Sequence, residues 1–97
     1  MKLLRVERTP NQNKAFKAIF RMDDDGKEKR VTFGTSSNYV LNPDKTKKDR
    51  ENYLKRHKVR EDWNNPLTAG SLSRWILWGD SRNLNKNIST FKRKFNL

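Results

Sequence analysis

The sequence predicts an α+β domain, a small antiparallel N-terminal sheet of about three to four strands followed by three helices, and three observations predict it. Up to Asp44 the apolar residues recur at period two around an Asp-Gly turn. From Lys45 onward their spacing becomes helical, and Asn42-Pro43-Asp44 punctuates the change. At 97 residues the chain is long enough for one modest core and too short for two. A single domain over 1–97 is therefore expected, with 1–44 mainly strands and 45–97 mainly helices.

Residues 2–8 alternate Leu3, Arg5 and Glu7 against Leu4, Val6 and Arg8, the pattern of a strand. Residues 15–22 (AFKAIFRM) place Phe16, Ala18, Phe20 and Met22 on one face, with Lys17 and Arg21 on the other. Asp23-Asp24-Asp25-Gly26 follows as the hairpin turn, because both positions of an Asp-Gly pair tolerate positive φ. Residues 27–33 return with Val31 and Phe33 inward, and Gly34 ends the strand. Residues 39–41 are expected to add a short fourth strand.

Asp44 or Thr46 is placed to cap a helix running to about Lys58, whose apolar stripe is only Tyr53, Leu54 and His57. After the connector REDWNNP, Thr68 caps a second helix through about Trp78, with Leu72, Trp75 and Ile76 at i, i+3 and i+4. Gly79-Asp80-Ser81 breaks it. A third helix from about Asn83 to Phe95 carries the stripe Leu84, Ile88, Phe91 and Phe95.

The block NPLTAGSLSRWILWGD, residues 65–80, stands apart from the charged sequence around it. Leu72, Trp75 and Ile76 are expected to form the core layer that joins helices to sheet, while Trp63, Leu77 and Trp78 cover other sides. The competing reading exposes Trp63 or Trp78 as a stacking or docking surface. Small Ala69, Gly70, Ser71 and Ser73 let another backbone come close. Arg74 lies inside the block, so its guanidinium needs a carboxylate, a phosphate or an aromatic face.

Composition bounds the function. The chain has 23 Lys plus Arg against 11 Asp plus Glu, a formal net charge of +12, suited to a polyanionic partner. The first 44 residues hold nine basic and six acidic residues, the rest fourteen and five, so the second half supplies most of the field. There is no cysteine, which excludes disulfides, thiolate metal sites and a cysteine nucleophile. No stretch approaches the roughly 18 apolar residues of a membrane span, and a soluble chain made in the cytosol is expected.

The catalytic inventory is thin. His57 is the one histidine, with nothing at metal-ligand spacing beside it, and the acids of residues 23–25 lack the later glycine and glutamate of a calcium loop. No enzyme, cofactor, metal or small-molecule substrate is expected.

Binding signals are stronger. Lys45, Lys47, Lys48, Arg50, Lys55, Arg56, Lys58 and Arg60 fall within residues 45–60, opposed only by Asp49 and Glu51. On a helix, several of them must share an outward side, where they neutralise phosphates with little base reading. Lys86, Lys92, Arg93 and Lys94 extend the set on the third helix, where no acid follows Asp80. The last two helices also have helix-turn-helix dimensions, with Asn85, Lys86, Ser89, Thr90 and Arg93 on the second, a weak signal for base reading.

RVTFG from Arg30, YLKRHKVREDWNNPLTAGSLSRWILW from Tyr53 and the closing KRKFNL resemble a family of small, basic proteins encoded by large double-stranded DNA viruses of algae and protists, the phycodnavirus and mimivirus group. This chain departs from the family's pattern after Trp78, where Gly79-Asp80-Ser81 replaces a proline-bearing turn. The resemblance implies a viral protein packaged in the virion, present in host cytoplasm or nucleus during infection, and brings no catalytic residues with it. Two roles follow as expectations. One is a non-catalytic, virion-associated protein that binds double-stranded viral DNA. The other is a minor capsid protein that bridges capsid subunits, its cations meeting acidic capsid protein surfaces.

Overall fold

The computed structural model describes residues 1–9 and 14–97. Three strands, β1 (Lys2–Arg8), β2 (Phe16–Arg21) and β3 (Glu28–Phe33), form an antiparallel meander in the order β1-β2-β3. Three helical elements follow, as the change of period at Asn42-Pro43-Asp44 requires.

The inner face of the sheet is built from β2 outward. Phe16, Ala18 and Phe20 are fully buried, Val31 pairs with Ala18, and Phe33 pairs with Phe16, the two rings stacking with centroids 5.9 Å apart. In β1 the expected alternation breaks, because Leu3 pairs with Phe20 while Arg5 pairs with Ile19. The extra residue, Leu4, is a bulge, and it shifts the phase of everything after it. Leu3 and Val6, which strict alternation assigns to opposite faces, therefore both pack on the core. Ile19 points to the other face and is fully buried too, flanked across the sheet by Arg5 and Arg30.

The hairpin between β2 and β3 forms as expected, although its turn chemistry differs. Gly26 alone has positive φ, at 68°. Four residues, not an Asp25-Gly26 pair, span the turn, closed by Gly26 N donating to Met22 O and Met22 N donating to Lys27 O. Gly34 at the end of β3 is required on two counts. Its φ is +78°, and an added Cβ would lie 2.3 Å from Leu77 Cδ1.

The fourth strand expected over 39–41 is absent; those residues are a turn organised by Asn38. The buried Asn38 accepts from Val40 N and Leu41 N at 3.0 and 2.8 Å through its side-chain oxygen, and its Nδ2 donates to Thr35 O at 2.8 Å. An Asn side chain that satisfies the next amides removes the need for a ladder partner. Arg82 holds the turn from outside, donating to the carbonyls of Tyr39, Asn42 and Lys45 with its guanidinium 4.0 Å from the Tyr39 ring centre.

Helix α1 (Lys47–Lys58) begins with a capping box. Asp49 N donates to Thr46 Oγ1 at 3.1 Å, and Thr46 N donates to Asp49 Oδ2 at 2.8 Å. The same bonds hold the Asp49 carboxyl below its usual pKa. Helix α2 (Ala69–Leu72), capped by Thr68, runs on into a π-helical segment, Ser73–Leu77, closed by Trp78 N donating to Ser73 O at 2.9 Å. The single α-helix expected over 68–78 is thus half π, one residue wider per turn. Helix α3 (Leu84–Phe95) starts at the Asn83 cap and ends at Asn96 in the left-handed conformation, φ 56°.

The core lies between the inner face of the sheet and the α2/π segment. Leu72, Ile76 and Leu77 are fully buried, joined by Phe91 from α3 and Tyr53 from α1. Trp75 is only half-buried at the edge of this layer, which corrects its expected place at the centre. The wider π turn explains the change, since it brings Leu77 and Trp78 inward beside Ile76.

Candidate nucleic-acid interface

The end of the π segment leaves its last carbonyls without helical partners, and three side chains supply donors. Arg50 Nε donates to Trp78 O and Gly79 O at 3.1 and 2.9 Å, and its Nη2 pairs with Asp80 at 2.7 Å. Arg74 Nη1 donates to Trp78 O at 3.3 Å, and the buried Asn87 donates to Ile76 O at 2.8 Å and to Ser81 O at 2.6 Å. The break at Gly79-Asp80-Ser81 is therefore a tied joint between α1, the π segment and α3.

This joint removes Arg50 from the expected phosphate-binding set. Its side chain is 19% exposed, with Nε held by two backbone carbonyls and Nη2 by Asp80. Nothing in the spacing of the basic run distinguishes Arg50 from its neighbours; its position 60° around the helix from Tyr53 is the only signal.

The other cations of α1 sort by angle. At about 100° per residue, Lys47, Lys48, Lys55 and Lys58 fall on the side opposite the buried Tyr53, and all four are exposed. Glu51 is the single acid among them. The row runs about 16 Å along the axis, a length over which one strand of a duplex presents about five phosphates. Arg60 is exposed beyond the helix end, and Arg56, also exposed, lies on the Tyr53 side, where it lines a cleft.

On α3, Lys86 and Arg93 lie opposite the buried Phe91 and are exposed, together with Asn85, Ser89 and Thr90. Lys92 is half-buried. Lys94 turns back over the aromatic block, its Nζ 4.4 Å from the Trp75 ring centre and 5.6 Å from that of Phe95.

The aromatic block is a packed corner. Trp78 is buried and stacks on Tyr53 at 4.2 Å, with ring planes 5° apart, and His57 stacks on Tyr53 at 4.1 Å. Half-buried Trp63 donates its indole N–H to Glu61 at 2.8 Å, and its carbonyl accepts the Trp75 indole N–H at 3.0 Å. Of the three partners open to Arg74, the structure supplies the aromatic faces, with Cζ 4.1 Å from the Trp75 ring centre and 5.2 Å from that of Trp63. Burial first, and the like charge of Arg50 second, lower the Arg74 pKa from its usual value.

Between the end of β3, α1 and α2 lies a cleft of about 400 Å³. Its wall is the Tyr53 stack, and burial, reinforced by the negative charge of Glu61, pushes the Tyr53 hydroxyl up to about 12. Glu61 is shared, accepting from Trp63 and lying 2.8 Å from His57 Nδ1. Neither Lys14 nor Glu61 is legible in the sequence as a cleft residue, because the positions converge only through the fold.

Among the described residues, no helix is long and apolar enough to cross a membrane. Comparison of the chain with known protein families, with curated proteins and with solved structures finds no match in any of the three.

Proposed function

We propose that this protein is a non-catalytic, virion-associated component of a large double-stranded DNA virus, which binds viral DNA through phosphate contacts with little base reading. The observation that supports this most directly is the row Lys47, Lys48, Lys55 and Lys58, exposed together on one side of α1. Neutralising phosphates there releases condensed counterions, so affinity falls with salt. Arg60, Lys86 and Arg93 are further exposed cations available to a polyanion.

The competing role, a minor capsid protein docked through its aromatic block onto acidic capsid surfaces, needs an exposed apolar patch. Trp78 is buried, Trp63 and Trp75 are half-buried, and Val59 is the one large apolar side chain fully exposed among the described residues. That distribution favours the nucleic-acid reading.

The test is titration of labelled duplex DNA at several salt concentrations with the wild-type protein and with a Lys48→Ala/Lys55→Ala/Lys58→Ala variant. Steep salt dependence is expected, with a slope that the variant flattens by about two to three. Negligible binding near physiological salt would overturn the proposal and turn the search to acidic capsid proteins.

A further inference from the structure

The cleft beside Tyr53 has the chemistry of a site in its own right. Lys14, Lys45 and Arg56 line it, arriving from the segment before β2, the approach to α1 and the third turn of α1. Among the described residues, none of these three side chains has an ion-pair partner. The one carboxylate in the lining, Glu61, already receives the Trp63 indole N–H and lies against His57. Three cationic residues without ion-pair partners, Lys14 and Arg56 exposed and Lys45 half-buried, thus line one cleft against a single, engaged acid. Thr35 and Ser37 also line it, the Thr35 hydroxyl donating to Ser37 O at 3.1 Å and the Ser37 hydroxyl having no such bond among the described residues.

A volume of about 400 Å³ falls in the range of small-ligand sites. Cations converging on a concavity suit a compact anion whose oxygens only accept hydrogen bonds. A duplex backbone is convex and fits the outer row of α1 instead.

We infer that this cleft binds a phosphate monoester dianion, carried by a free small phosphate ester or by the phosphorylated end of a nucleic-acid strand. Lys45 and Arg56 grip the phosphate oxygens, Lys14 closes the open side, and Ser37 donates from the rim. The site does not depend on the outer lysines of α1.

The test is a titration of isotope-labelled full-length protein followed by amide chemical shifts, first with inorganic phosphate and then with adenosine monophosphate. Saturable shifts at Gly34, Thr35, Ser37 and Gly70 are expected, with binding weakened about tenfold or more in a Lys45→Ala/Arg56→Ala variant that keeps a folded spectrum. The Lys48→Ala/Lys55→Ala/Lys58→Ala variant should bind both probes like wild type even as it loses duplex affinity, which separates this site from the DNA-binding surface. A short oligonucleotide with a 5′-phosphate, compared with its 5′-hydroxyl twin, tells the two sources apart. Tighter binding of the phosphorylated strand identifies a strand end, and equal binding alongside saturable adenosine monophosphate identifies a free ester. Shifts that never saturate, or that map to the outer face of α1, would overturn the inference.

Discussion

Helices α1 and α3 are both twelve residues long and both rich in cations, yet they are attached to the fold by opposite means. Helix α3 presents a broad stripe in which Phe91 is fully buried and Leu84, Ile88 and Phe95 pack around it. Helix α1 buries Tyr53 alone, with Leu54 packed at the edge of the core, and is held by the Tyr53 stack and by Arg50 reaching across to the Trp78 and Gly79 carbonyls. A helix fixed by a few directed hydrogen bonds keeps most of its circumference free for lysines. The arrangement explains how so basic an element stays docked on so narrow an apolar stripe.

The comparison breaks most sharply at Phe91. Phe91→Ala removes a fully buried ring from α3 and should cost about 3–5 kcal/mol in chemical denaturation; a loss near 1 kcal/mol would mean α3 is not held by burial. Arg50→Ala tests the opposite mode. It deprives Gly79 O and Asp80 of their donor and leaves Trp78 O with Arg74 alone, and should cost about 1.5–3 kcal/mol, a range set by hydrogen bonds to charged groups. Arg50→Lys should restore only part of that, because an ammonium lacks the planar fork. Stability unchanged in Arg50→Ala would show that α1 docks through Tyr53 alone. The smallest effect is expected at the rim between the helices, where Trp75→Ala should cost about 1–2 kcal/mol. Half-buried and covered by Arg74 and Lys94, Trp75 loses less on truncation than a core ring does. A loss as large as that of Phe91→Ala would return it to the core.

Much of the fold was legible in the residues because it rests on local rules. Period-two alternation marks β2 and β3, Thr46, Thr68 and Asn83 offer side-chain caps, and the stripe from Leu84 to Phe95 defines α3. What stayed hidden depends on partners far along the chain. The bulge at Leu4 is set by pairing with β2, the turn at residues 38–42 by Asn38 and Arg82, and the π segment by what the core demands of Leu77 and Trp78. The candidate surface divides the same way. That α1 is basic was evident, but that Arg50 faces inward and Arg56 faces a cleft follows only from what each helix side meets.

The π segment carries an implication for how this gene could drift. A π turn is an α-helix with one residue to spare. Losing a single codon between Ser73 and Trp78 would restore regular winding, and because the π turn absorbs the spare residue, the turns on either side would keep their directions. Trp78 N would still donate to Ser73 O, now four residues back, and the Trp78 ring would stay on Tyr53. What would go is the extra width that lets Ile76, Leu77 and Trp78 all be buried at consecutive positions. An in-frame deletion here removes one inward side chain, whereas a deletion in α1 or α3, which have no residue to spare, turns every later residue of the helix by about 100°.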